Sequence, residues 1–252
     1  MNETINEIKE YIKKLKIPGI NQGLKMKIEE AYRLNQPYED LLKDIFAEAY
    51  DIKMENSRKN RIRNACFPYK KYLDELQVDY LPEDAKMRFK ELKTLNFIEE
   101  GRNVILAGNP GTGKTHLSIG LGIKACNKGY KVFFTTVASL INELKETKSE
   151  KKLHTFEKRF EKYDLIILDE LGYISFDKEG SELLFTFLSL RAERKSTIIT
   201  TNLSFDRWNE IFNDTVLTAA LIDRMTYKSY VINMNGQSYR IKETREWLGK
   251  NN

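Results

Sequence analysis

The chain has 252 residues, 41% of them hydrophobic and 31% charged, with a formal net charge of +5. That length supports a sizeable core, as one large domain or a core with an accessory unit, and no apolar run approaches the roughly 20 residues that span a bilayer. The start, Met1 to Ile12, lacks the apolar segment of a secretory leader, and Cys66 and Cys126 lie too far apart in sequence to suggest a disulfide framework or a zinc site, so a cytoplasmic protein with a lean toward anionic partners is expected.

In chain order, Thr4-Ile5-Asn6-Glu7 has the pattern of a capping box, and Ile5, Ile8, Ile12 and Leu15 recur at helical spacing until Pro18-Gly19, which predicts a first short helix. A second is expected from Ile20 to Leu34. A third follows Pro37, where Leu41, Leu42, Ile45, Phe46, Ala49 and Ile52 form one apolar stripe. It continues into Lys53, Arg58, Lys59, Arg61 and Arg63, with Lys70 and Lys71 beyond Pro68, and Glu55 is the one acid in that stretch. These cations either meet the phosphates of a duplex without reading its sequence or form the solvated face of a long helix. Leu73 to Asp84 mixes acidic, aromatic and proline residues and reads as a connector. A boundary near residue 80 is therefore expected, between a helical domain over 1–80 that binds DNA or a partner and a second domain over 81–252.

Beyond it, strand and helix patterns alternate. Val104 to Ala107 precedes a helix from His116 to Cys126, Lys131 to Thr135 precedes one from Ala138, and Asp164 to Leu168 precedes one from Gly180 to Glu193. Thr197 to Thr201 leads into further helical material, and Tyr230 to Met234 is a last strand before a short tail. The alternation implies an α/β fold with a parallel sheet flanked by helices on both faces. Phe133, Phe134, Phe185 and Phe187 fall in these elements and are expected in the core, whereas Tyr173, Phe176 and Trp208 fall in or beside loops where a partner could meet them. Arg191, Arg194 and Lys195 either line a groove in an assembly or complement a helix dipole.

The run Gly108-Asn109-Pro110-Gly111-Thr112-Gly113-Lys114-Thr115 fits GxxxxGK[ST] between an apolar strand and the helix opened by His116. Glycines let backbone N–H groups converge on an anion, Lys114 reaches the β and γ phosphates, and Thr115 offers a hydroxyl to magnesium, so a nucleoside triphosphate cradle is expected. Leu165-Ile166-Ile167-Leu168-Asp169-Glu170 is an apolar strand ending in two acids. Asp169 is placed to hold magnesium and Glu170 to accept a proton from an attacking water, unless the pair is only a strand's polar edge in solvent. Asn202, at the end of the strand Thr197 to Thr201, either orients that water or serves a turn.

The stretches NVILAGNPGTGKTHLSIGLG, DLIILDELGYIS, STIITTNLSFDRW and AALIDRM, with LKIPGINQGL near the start, resemble the IstB family, AAA+ ATPase helpers of bacterial transposable elements. The resemblance covers nearly the whole chain. It implies a P-loop AAA+ core with a truncated lid, ATP and Mg²⁺ as cofactors, and a homo-oligomer with the nucleotide site at the subunit interface. Asn202 matches the family's sensor-1 residue, Arg224 its arginine finger acting on a neighbouring subunit, and Arg240 its sensor-2 arginine. Tyr227 and Lys228 stand where many relatives carry histidine, so no role is transferred there. Without the resemblance, Arg224 reads as a helix-capping surface residue and Arg240 as a solvated charge. The implied function is an ATPase that assembles on duplex DNA, recruits or regulates a transposase and remodels the complex by hydrolysis. The related DnaC/DnaI-type helicase loaders supply the alternative, and a nucleotide-gated scaffold that barely hydrolyses ATP is a third reading.

Overall fold

In the computed structural model, which describes residues 2–250, helices α1 (Asn2–Lys14) and α2 (Ile20–Leu34) and most of α3 (Tyr38–Asn64) form a helical unit that ends at Asn60. Its core is small: Ile5 and Ile12 from α1, Ile20 and Leu24 from α2, and Ile45 and Ala49 from α3, recurring at helical spacing. Thr4 lies within α1 and caps nothing, because that helix already begins at Asn2. The apolar stripe expected along α3 is only partly buried. Leu42 and Phe46 are 53% and 57% exposed, because residues one position from the Ile45 and Ala49 row point about 100° away from it.

The second unit begins at Arg61, well before the boundary expected near residue 80. Ala65, Leu73, Leu76 and Leu81 bury themselves in the core beneath the sheet, and the Phe134 N–H donates to the Ala65 carbonyl at 2.7 Å. The apolar residues of this connector are spaced among acids and tyrosines, so composition alone conceals that it is a packed layer. Two single-turn helices, Leu73–Glu75 and Val78–Tyr80, lead into α4 (Glu83–Thr94) and α5 (Asn96–Glu99).

There follow β1 (Val104–Ala107), α6 (Lys114–Lys128), β2 (Val132–Thr136), α7 (Val137–Ser149), α8 (Leu153–Phe160), β3 (Leu165–Leu171) and α9 (Lys178–Arg191). After them come β4 (Ser196–Thr201), α10 (Asn209–Phe212), α11 (Thr215–Thr226), β5 (Tyr230–Asn233) and α12 (Tyr239–Lys250). The last of these is a helix where a short tail is expected from the sequence. The strands form one parallel sheet in the order β2-β3-β4-β1-β5. Leu165 and Ile167 of β3 join one core layer with Leu117 and Ile123 of α6, while Ile166 and Leu168 join the other with Leu140 of α7 and Phe187 of α9. This is the two-faced burial of a parallel sheet, and its chain-order reversal about β1 opens a crevice beyond the strands' carboxyl ends.

Several side chains expected at the surface belong to this packing. Phe176 and Trp208 are 8% and 0% exposed and lie in the second core layer, whereas Tyr173 stays exposed. Arg191 is also buried, and its guanidinium donates to the carbonyls of Phe160, Tyr163 and Ser196 at 3.0, 3.3 and 3.1 Å, so it lines no groove. Lys195 is tied to Asp164 at 2.7 Å. The cysteines are unbridged: Cys66 is exposed, and burial pushes the Cys126 thiol up to about 12. Among the described residues, no helix is long and apolar enough to cross a membrane.

Candidate functional site

The loop after β1 is shaped by close approaches that exclude side chains. A Cβ on Gly108 would collide with the backbone of Met234 just after β5, and one on Gly111, whose φ is +79°, would collide with Ser238. The Thr112 hydroxyl donates to the Asn109 carbonyl at 2.9 Å, and the Asn109 N–H donates to Asn235 Oδ1 at 3.2 Å. Lys114 opens α6 and folds its ammonium back over the loop, donating to the Gly108 and Asn109 carbonyls at 2.5 and 2.7 Å. Burial, aided by the charge of Arg240 and opposed by that of Asp169, pushes its pKa down to about 8. An incoming polyanion would give that ammonium a charged partner in place of two neutral carbonyls.

Asp169 is 4% exposed and accepts hydrogen bonds from two hydroxyls. Thr115 Oγ1 donates toward both its oxygens at 3.0 and 3.1 Å, and Thr200 of β4 makes a short bond to its Oδ1. Thr115 and Asp169 thus converge from the loop and from β3, an oxygen set that suits magnesium. The next residue, Glu170, is exposed and sits at φ +66°, where a bulge between Leu168 and Leu171 breaks the β3–β4 register. The bulge turns the two consecutive acids in different directions: Asp169 is held inward and Glu170 faces the cleft.

The cleft has a volume of about 310 Å³ and brings together the loop from Pro110 to His116, Glu170, Thr200, Asn202 and Arg240. Asn202 Oδ1 is buried with no partner among the described residues, which leaves it available to a bound group. Arg240 arrives because α12 is fastened to the loop, the Tyr239 N–H donating to the Gly111 carbonyl at 2.9 Å. His116 also borders the cleft, but its Nε2 lies 3.0 Å from the Tyr72 carbonyl and braces the connector. Leu76, Tyr80 and Leu81 of that connector, with Tyr69 just before it, form a further wall, which sequence reasoning missed by assigning 73–84 to a linker. Burial, together with the charges of Asp169 and Glu170, raises the pKa of the Tyr69 hydroxyl.

Arg224 is not among the residues that border the cleft. It is exposed on α11 with its guanidinium 5.0 Å from the centre of the Phe185 ring. The cations expected to touch DNA have diverse surroundings. Arg58 forks onto Glu55 with two bonds of 2.7 Å, Lys59 lies 3.5 Å from the same carboxylate, and the Arg58 bonds foremost hold Glu55 down at about 2. Arg61 donates to the Cys126 carbonyl at 2.7 Å, and Lys71 borders the cleft. Lys53, Arg63 and Lys70 are exposed.

The family model described as IstB-like ATP binding protein matches residues 10–247. A protein of Geobacillus stearothermophilus, named for ATP binding in insertion sequence IS5376, is 34% identical over 238 residues, covering 94% of this chain and 95% of that one. The corresponding protein named from insertion sequence IS21 of Pseudomonas aeruginosa is 33% identical over 242 residues, covering 96% and 91%. Among solved structures, AMPPCP-bound DnaA from Aquifex aeolicus superposes with a TM-score of 0.56 at 19% identity, over 73% of this chain and 56% of that one. The DnaC helicase loader does so with a TM-score of 0.53 at 22% identity, over 72% and 98%. These two likenesses show a shared fold. With the family match spanning almost the full chain, and the GxxxxGK[ST] loop bordering one cleft with Glu170 while its Thr115 bonds to Asp169, the chain belongs to the IstB-like ATP-binding family.

Proposed function

We propose that the protein is a cytoplasmic, magnesium-dependent ATPase that assembles on duplex DNA as a homo-oligomer and serves the transposase of an insertion sequence, hydrolysis remodelling the complex. The observation that carries this reading is the convergence of Lys114, Thr115, Glu170 and Asn202 on one cleft, with Asp169 bonded to Thr115 behind it. Backbone N–H groups of residues 108–115 and the N-terminus of α6 receive the phosphates, with Lys114 between the β and γ groups. Thr115 and Asp169 would hold magnesium, which supplies neutralising charge to the phosphate oxygens. Asn202 orients a water and Glu170 accepts its proton as the water oxygen bonds to the γ phosphorus. The bond from that phosphorus to the β–γ bridging oxygen breaks, and ADP and phosphate leave.

Arg240 steadies the triphosphate within the subunit, and Arg224 acts on the site of a second copy, in keeping with its place outside its own cleft. For DNA, the exposed Lys53 and Lys59 of the first unit and the exposed Arg63 and Lys70 of the second offer phosphate contacts without base reading. The insertion-sequence relatives at 34% and 33% identity favour a transposition role over helicase loading, which has a likeness of fold alone behind it. Replacing Glu170 with Gln tests the chemistry: phosphate release should fall about 10²- to 10⁴-fold while ATP binding is retained. Undiminished turnover would remove Glu170 as the base. Anisotropy with single- and double-stranded DNA across a salt series tests the partner, and equal or stronger binding to single strands would favour the loader reading.

A further inference from the structure

The bulge at the end of β3 needs something to hold it. Glu170 has a left-handed backbone, which is costly for a residue with a side chain and persists only where the surroundings fix it. The register between β3 and β4 pairs Leu168 with Ile199 and resumes at Leu171 with Thr201, so Asp169 and Glu170 lie where the backbone ladder is interrupted. One side chain spans the gap. Thr200 is 2% exposed, and its hydroxyl accepts the Glu170 N–H at 3.0 Å while donating to Asp169 Oδ1.

The geometry points to Thr200 as a positioning residue for ATP hydrolysis: its one hydroxyl, held between the backbone of Glu170 and the carboxylate of Asp169, fixes the directions of both acids together. The inference rests on the hydrolytic reading above and adds a residue to it. Thr115 also reaches Asp169, but it belongs to the GxxxxGK[ST] loop, and its hydroxyl bonds to Asp169 and not to Glu170. A hydroxyl saturated in this way, donating to one acid and accepting from the backbone of the next, transmits a displacement of either to the other. Valine at this position keeps the shape, leaves the partly buried Glu170 N–H without its acceptor and frees the bulge to relax. Thr200 acts through the placement of the two acids, so its effect falls mainly on turnover and much less on nucleotide affinity.

The test compares Thr200→Val and Thr200→Ser with the wild-type full chain, measuring phosphate release with magnesium and ATP, and nucleotide affinity by calorimetry. Thr200→Val should lower kcat by roughly ten- to a hundredfold, with nucleotide affinity within about threefold of wild type, and Thr200→Ser should restore most of the rate. Wild-type kcat in Thr200→Val overturns the inference, as does equal loss in both variants, which would assign the effect to packing of the side chain as a whole and not to its hydroxyl. Should Thr200→Val fail to fold, Thr200→Ala replaces it: activity in the serine variant with loss in the alanine variant supports the role, and equal activities overturn it. Absence of turnover in the wild-type protein would instead bring down the hydrolytic reading itself.

Discussion

The two units of this chain spend their apolar residues differently. In the second, β4 is buried along its whole length and β1 and β3 nearly so, and polar side chains collect at the strands' carboxyl ends, where Asp169, Glu170, Thr200 and Asn202 border or brace one cleft. In the first, α3 buries Ile45 and Ala49 alone, while Leu42, Phe46 and Tyr50 stand 53%, 57% and 62% exposed. A parallel sheet covered on both faces offers polar groups no side to face, so they are forced to its end. A three-helix unit leaves each helix a wide outer arc, where an apolar residue carries little energetic consequence. Chemistry is concentrated by the first geometry and dispersed by the second.

The largest effect that would break this contrast concerns Arg224, the proposed catalytic group that its own cleft does not contain. Arg224→Ala should lower turnover of the assembled protein by about 10³-fold or more, with nucleotide binding by the dilute protein unchanged. Full phosphate release by the variant would leave the cleft self-sufficient. Next comes stability within α3: Ile45→Ala should cost about 2–5 kcal/mol for the first unit in chemical denaturation, the ordinary penalty for a truncated core side chain. A cost below 1 kcal/mol would mean that this small core is not what holds the unit together.

A subtler effect follows from Lys114, whose pKa of about 8 in the free protein lies below its ordinary 10.5. Bound phosphates favour the ammonium and raise that pKa, so binding takes up a proton at and above pH 8. Affinity is then full below about 8 and falls by up to about tenfold per pH unit above it. Calorimetry in buffers of different ionisation enthalpy reads the proton directly, and Lys114→Arg should abolish the uptake. The smallest effect sharpens the contrast most finely: Phe46→Ser, one residue from Ile45, should change stability by no more than about 0.5 kcal/mol. A larger loss would show that the outer arc of α3 is packed after all.

The sheet and the nucleotide cradle were largely legible in the sequence, because a phosphate loop, a strand ending in two acids and the βα alternation are local patterns with a fixed physical meaning. β1 and α2 have the bounds that periodicity predicts, and the remaining strands shift by only a few residues. What stayed hidden depends on contacts distant in sequence. The connector's leucines could be recognised as core only once the sheet they cover was known, and Trp208 and Phe176 look like loop aromatics until α9 and α10 close over them. Arg191 resembles a surface cation because nothing local announces three backbone carbonyls from other elements. Thr200 was invisible for the same reason: its role arises from the register between β3 and β4 and from the bulge that breaks it. The single available signal was a hydroxyl two residues before Asn202, on a strand whose neighbour ends in acids.

On the proposed reading, magnesium and triphosphate are held together between the loop at Lys114 and the strand end at Asp169. Titration calorimetry of the purified full chain with ATP, with and without magnesium, alongside Lys114→Ala and Asp169→Asn, tests it most directly. Expected are saturable one-to-one uptake that is stronger with magnesium, near-complete loss of binding in Lys114→Ala, and loss of the magnesium dependence in Asp169→Asn. No heat of binding from folded wild-type protein, or binding unchanged in both variants, would contradict it.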